Sequence, residues 1–406
     1  MPLIQTAGLL RTWKCRSPFR HIVLFLVVSS TLVGFAQTPE PTKNEPTPPE
    51  ASGDSKPSDN EASNKKEKEK EKGSRGAFVG VPVPVSSPAI GSGVVLMGGY
   101  VFPLRRSDTI SAPSTVGAAA LFTNNGSRGL VVGTELFFSQ DRYHVLTGYV
   151  QGNLNYDFYG IGNAAGDAGI KFGLKQTGRV FFGEIMRTVF WRFRVGPRAF
   201  LTSSNLASRN AGEPPAGLPP LDVDFTMRSL GFKVERDTRM NHFYPENGTS
   251  VEFSADFFDK ALGSTFTFQT YRLNFSAYQR LTKNQLFAYD GFLCATGGRA
   301  PFFGECIFGT SNRLRGYTAG RYIDRDMAAV QAEYRATLPW RFGVVAFAGV
   351  GEVGPTFGSF NYSNLLPSGG IGSRFQLSTK YHVNLRADFA WGKTGRTFSM
   401  GLGEAF

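Results

Sequence analysis

Apolar and polar residues alternate strictly over long stretches of this chain. Val383, Leu385, Ala387, Phe389 and Trp391 share one face, with His382, Asn384, Arg386 and Asp388 on the other. Tyr271, Leu273, Phe275 and Ala277 alternate with Arg272, Asn274, Ser276 and Arg280. Val189, Trp191, Phe193 and Val195 alternate with Arg192, Arg194 and Arg198. A period of two is the signature of a strand. These runs exceed the ~5–6 residues of an average soluble strand and match the ~9–11 of a tilted membrane-spanning one. Hydrocarbon offers no partner to a free N–H or C=O, so an all-strand membrane protein must close on itself. The expected fold is all-β, a transmembrane antiparallel β-barrel over residues 76–406, with about 16 strands.

Composition agrees. The chain holds 48 Gly and 37 Phe in 406 residues, and 19% of it is charged. No segment past the N-terminal one approaches the ~20 apolar residues of a spanning helix, which excludes a helical membrane protein. The N-terminus reads as an export signal over residues 1–36. Arg11, Lys14, Arg16 and Arg20 precede the apolar stretch Ile22 to Phe35, and Gly34-Phe35-Ala36 is a small-residue cleavage pattern. Residues 37–75 hold six prolines and the run Lys65 to Lys72, with nothing aromatic to bury, and read as a disordered periplasmic tether. The formal net charge is +12, but the bases are spread singly along strands, so nucleic acid is not an expected partner.

Cys15 falls within the leader. Cys294 and Cys306 bracket a Gly-rich loop, and two readings stand: a disulfide in an oxidising compartment, or two unrelated thiols. Three cysteines without ligand spacing exclude a zinc site, and no cofactor or metal is expected. Past the leader the histidines are His144, His242 and His382, none in a nucleophile motif, so no catalytic residues and no enzyme activity are expected.

Three segments together resemble the BamA/TamA barrel superfamily of bacterial surface antigens, over roughly residues 78–406. The first is Arg313-Leu314-Arg315-Gly316-Tyr317, like the Arg-Gly-aromatic tip of the family's inward-folded sixth loop, here around residues 295–326. The second is Glu333-Tyr334-Arg335, followed by Phe347, Gly349 and Gly351. The third is Asp237, Arg239 and Asn241 with Pro245 and Gly248, like the family's strand-turn-strand element. The chain closes on Thr397 to Phe406, where Phe398, Met400, Leu402 and Phe406 share one face and Glu404 interrupts it. A terminal Phe406 on such a strand resembles the recognition signal of outer-membrane barrels.

The resemblance implies that Arg315 reaches down the lumen while Gly316 makes the turn. The strand at 327–338 directs Gln331, Glu333 and Arg335 inward, so Glu333 is the expected partner of Arg315, with Tyr317 against the wall. Arg suits this role because its planar fork of donors matches a carboxylate. Two departures from the family stand out. Its following strand carries an Asp where this chain has Gly349, which leaves Glu333 as the main partner. Residues 37–75 are also too short and too polar for a POTRA domain.

The expected function is insertion or translocation of proteins at the outer membrane of a diderm bacterium, through a lateral seam between first and last strands and without POTRA domains. The expected partners are lipopolysaccharide and phospholipid, unfolded outer-membrane proteins and a periplasmic delivery partner. Two alternatives stand beside it. One is an anion-preferring pore lined by Arg192, Arg194, Arg198, Arg272, Arg280 and Arg386; the other is a structural anchor.

Overall fold

The computed structural model describes residues 76–406, apart from 106, 109, 210–220, 240, 242, 243, 310–313 and 379–381. The leader, the tether, His242 and Arg313 therefore lie outside the described residues. The strands are β1 (Ala77–Ser87), β2 (Gly91–Phe102), β3 (Ser114–Thr123), β4 (Arg128–Phe138), β5 (Tyr143–Phe158) and β6 (Phe172–Thr188). They continue with β7 (Phe193–Ser208), β8 (Asp222–Asp237), β9 (Gly248–Phe258), β10 (Phe268–Thr282), β11 (Gln285–Gly298) and β12 (Cys306–Ile307). The last are β13 (Ile323–Asp324), β14 (Asp326–Thr337), β15 (Phe342–Gly354), β16 (Leu366–Ser378), β17 (Val383–Gly392) and β18 (Gly395–Leu402). All but β12 and β13 join in one closed 16-stranded ring of antiparallel neighbours in chain order, β14 following β11 and β18 meeting β1. Strands β12 and β13 form a separate ribbon.

The faces are inverted relative to a soluble protein. Leu130, Phe181, Leu230, Phe275, Val330 and Ile371 are exposed on the outside, while Lys233, Glu333, Arg335, Arg386 and Asp388 are buried within. Hydrocarbon accepts the first set, and the closed ring pairs the backbone that lipid could not satisfy. Long connections gather at one end, among them the β5–β6 connection with its one short helix α1 (Asn163–Ala168) and the β11–β14 connection. Short turns gather at the other, including β6–β7, β10–β11 and β14–β15.

Two strand boundaries differ from the sequence expectation. The β7 ladder begins at Phe193, so Trp191 and Arg192 form a turn with φ of 48° and 65°. Both residues are left-handed, the geometry whose twist suits a tight hairpin. Alternation read them as strand because the flanking pairs, Arg187–Val195 and Thr188–Arg194, are an even number of residues apart, which preserves parity. Strand β18 begins earlier and ends earlier than expected, at Gly395 and Leu402. Gly403, with φ of 78°, turns the chain inward, so Phe406 does not share an outer face with Phe398.

The lumen wall is not uniformly polar. Val83 and Val85 of β1, Val95 of β2 and Ala119 and Leu121 of β3 form a buried apolar cluster with Val383 and Leu402.

Candidate functional site

The β11–β14 connection folds into the barrel. At its base Cys294 of β11 and Cys306 of β12 are joined as a disulfide, with Cα atoms 5.9 Å apart. The ribbon of β12 and β13 then carries the chain to a tip at Leu314–Tyr317. Gly316 has φ of 107°, and a Cβ there would lie 2.7 Å from the Trp391 carbonyl oxygen, so only glycine fits both turn and wall. Tyr317 donates its hydroxyl to the Pro367 carbonyl (2.6 Å) and accepts from the Lys393 N–H (3.0 Å). Phe308 and Tyr322 pack edge-on against it, at 5.3 and 5.7 Å between ring centroids. Helix α1 braces the loop, for Asp167 accepts from the Tyr322 hydroxyl (2.8 Å) and Lys393 (2.7 Å).

Arg315 touches four consecutive barrel strands, β14 to β17, three through its guanidinium and β16 through its main-chain carbonyl. Its Nη2 pairs with Glu333 of β14, and its Nη1 donates to Asp388 of β17 at 3.0 Å. Its Nε donates to Gln331 Oε1 at 3.3 Å. Its Cζ lies 3.4 Å above the Phe347 ring of β15, a cation–π contact. The Ser368 hydroxyl of β16 donates to the Arg315 carbonyl. Arg315, Glu333 and Asp388 are nearly fully buried, so each charge depends on the others. Gly349 and Gly351 leave room above: a Cβ at 349 would lie 2.5 Å from Leu314 Cδ1, and one at 351 would lie 2.7 Å from Phe308 Cε2.

The network continues toward the short-turn end. Arg335 donates to Glu333 at 2.6 Å, and Arg374 donates to Asp388 (2.6 Å) and Glu404 (2.8 Å). Arg386 lies 3.6 Å from Asp388, but its three nitrogens make no hydrogen bond among the described residues. Arg335 also donates to the Phe406 main-chain oxygen at 3.1 Å and stacks over the Phe406 and Tyr278 rings at 5.5 and 5.7 Å. Asp237 clasps Arg239 through two bonds of 3.0 and 2.8 Å, and Arg239 reaches the Tyr278 hydroxyl at 3.4 Å. In the same turn Asn241 accepts from the Tyr244 N–H (3.2 Å), Pro245 is buried and Gly248 has φ of 102°. Strand-turn element, Arg335 and Phe406 therefore converge on Tyr278.

Sequence reasoning missed three participants. Asp388 had already been placed on the polar face of β17, but its strand lies away from the expected position at Gly349. Glu404 was read as an interruption and turns inward because Gly403 breaks the period. The cluster around Lys233 was not anticipated: Lys233 meets Glu184 (3.1 Å), Glu235 (3.1 Å) and Glu252 (3.4 Å).

Among the described residues, every arginine expected to line an anion path except Arg192 lies within 4 Å of a carboxylate, Arg386 beside Asp388 included. Arg194 pairs with Glu235 at 3.1 Å, Arg198 with Asp256 at 3.3 Å, Arg272 with Asp256 at 3.5 Å and Arg280 with Glu246 at 2.7 Å, while Arg192 is in the β6–β7 turn. Outside the spanning strands, burial pushes the Glu305 carboxyl in the loop up to about 7, and nearby Asp324 adds to the shift.

The ring closes between β1 and β18. Their register joins Ser86 to Met400, whereas β1 and β2 pair at every position from Ala77–Val101 to Ser87–Gly91. Below Ser86, contact between the two strands is apolar packing of Val83 and Val85 near Leu402.

A closed 16-stranded ring with an arginine-tipped loop folded into its lumen defines a class of membrane-spanning barrel. Residues 115–406 match the model of the Omp85 superfamily domain, and the chain belongs to that superfamily of outer-membrane β-barrels. Its fold is similar to that of BamA from Haemophilus ducreyi lacking POTRA domains 1–3, with a TM-score of 0.55 and 15% identity over 80% of this chain and 69% of that one. It is also similar to CdiB from Acinetobacter baumannii, with a TM-score of 0.54 and 11% identity over 80% of this chain and 59% of that one. CdiB from Escherichia coli gives 0.51 and 11%, over 80% and 62%. At these identities the likeness is one of fold. No curated protein sequence matches the chain. The described residues hold the barrel and its connections and no POTRA domain.

Proposed function

We propose that this barrel assists the insertion or translocation of proteins at the outer membrane by parting β1 from β18. The observation that carries the reading is the register of closure, which joins the strands at Ser86–Met400 while the neighbouring β1–β2 ladder is continuous. Parting them breaks few backbone hydrogen bonds and exposes edges that can accept an extended strand. The Arg315 site holds β14 to β17 as one rigid wall, so movement concentrates at the closure. Clients are unfolded outer-membrane proteins brought by a periplasmic delivery partner, since the described residues include no domain to receive them. Residues 37–75 are assigned to the periplasm, and lipopolysaccharide and phospholipid surround the barrel. The ion pairs of Arg194, Arg198, Arg272 and Arg280 weigh against an anion-preferring pore, because paired guanidiniums carry little net field.

Insertion kinetics test this. A denatured small outer-membrane barrel is added to liposomes containing the protein, and its folding rate is compared with liposomes holding an unrelated barrel of equal size. The expected result is acceleration beyond that control. Equal rates would overturn the proposal.

A further inference from the structure

The two strands that close the ring are unequal as hydrogen-bonding edges. Ser92 of β2 donates its N–H to Asn124 Oδ1 (3.0 Å) and accepts from the Asn124 N–H (2.8 Å), so its backbone faces β3. Ser86 stands directly opposite Ser92 and therefore directs its own backbone away from β2, toward β18. The β1–β2 register has no bulge, and backbone direction alternates along a strand. Phe78, Gly80, Pro82 and Pro84 therefore face the same way as Ser86. Proline has no N–H, so positions 82 and 84 present acceptors and no donors. Extending the Ser86–Met400 register sets Leu402 opposite Pro84, and the ladder stops there.

The β18 edge is different. The Gly403 N–H donates to the Asn384 carbonyl at 2.7 Å, so odd positions face β17 and Arg396, Phe398, Met400 and Leu402 face β1. None of them is proline. The same register carries Arg396 and Phe398 past Ser87, where β1 ends. This part of β18 overhangs its neighbour as a donor-complete edge, next to the loop that holds Arg315.

We infer that a client strand entering the closure adds to β18 and not to β1, because Pro82 and Pro84 blunt the one edge while Arg396, Phe398, Met400 and Leu402 keep the other complete. The inference rests on the proposed insertion function. Pairing with β1 would leave client carbonyls without donors in hydrocarbon, which lipid cannot compensate. The partner that fits is an extended, proline-free segment of another unfolded barrel, alternating apolar and polar residues.

The test uses the full protein in phosphatidylethanolamine–phosphatidylglycerol liposomes and a denatured small barrel with one cysteine in its terminal strand. Host cysteines are placed at Ser399→Cys on β18 and, separately, Val79→Cys on β1, with the unsubstituted host as control. Oxidation during insertion should give host–client adducts at Ser399→Cys at least tenfold above Val79→Cys. Pro82→Thr with Pro84→Thr should raise the yield at Val79→Cys. Equal or greater yield at Val79→Cys in the unaltered edge would overturn the inference. So would accelerated insertion with no adduct at either strand, or a host–host adduct replacing the client one, which would make a second copy the occupant. Insertion rates measured in the same samples separate the two claims: without acceleration the function itself fails, and this inference with it.

Discussion

Asp388 of β17 holds Nη1 of Arg315 at 3.0 Å, supplying from another strand the carboxylate that Gly349 does not provide on β15. With Glu333 on the other side, the guanidinium ties the loop to both flanks of a four-strand wall, β14 to β17. Arg315→Ala removes one partner from a buried set, a change that typically costs about 3–5 kcal/mol. The lower end is expected, since Arg335 and Arg374 stay on Glu333 and Asp388. Arg315→Lys should recover less than half of the loss, because an ammonium cannot bridge both carboxylates and stack on Phe347. Urea unfolding in detergent micelles, followed by tryptophan fluorescence, reads both.

Lys233 lies against three glutamates, of which Glu184 and Glu235 are buried. Lys233→Met keeps the volume and removes the shared cation while Arg194 stays on Glu235 and Arg198 on Glu184, so stability should fall by about 3 kcal/mol, the lower end for a broken buried pair. The heat-induced mobility shift of the folded barrel in detergent gels checks this. Stability equal to that of the parent protein would mean that water or a rearranged Arg198 replaces the ammonium.

Pro84 withholds a donor from the closure at the position facing Leu402. Pro84→Ala restores it, and one added ladder bond contributes about 0.5–1.5 kcal/mol. The substituted barrel should be more heat-resistant and should insert clients more slowly. A faster rate would show that the closure does not limit insertion.

Glu305 links the loop to pH. Its folded pKa of about 7 lies above the usual 4.5, so the native state holds the proton more tightly than the unfolded one. The contribution to stability is full at low pH and declines as pH rises from about 4.5 through about 7. Glu305→Gln should flatten the unfolding midpoint across this window, and an unchanged slope would assign the dependence to another group.

The barrel was legible because lipid imposes its own period: Tyr271 to Ala277 and Leu385 to Trp391 could face outward only as strands, while Val383, expected on the same face, joins the buried apolar cluster. The same rule could not separate Trp191 and Arg192 from a strand, since the pairs across their turn are an even number of residues apart and keep parity. Arg315, Gly316 and Glu333 were legible through a local pattern and one strand's alternation. Asp388 was not, because its nearness to Arg315 depends on the curvature of the ring, which sequence spacing does not encode. The inward turn at Gly403 hid Glu404 and Phe406 in the same way. Pro82 and Pro84 carried an unread signal, for proline within a strand marks an edge.

The central claim is that β1 and β18 part. Ser86→Cys with Met400→Cys places a disulfide at the register pair that closes the ring. Client insertion is then measured with the barrel oxidised and after mild reduction, beside each single-cysteine protein under the same treatment. The account predicts that the oxidised barrel folds but no longer accelerates insertion, and that reduction restores it. Full acceleration by the locked barrel would contradict the account.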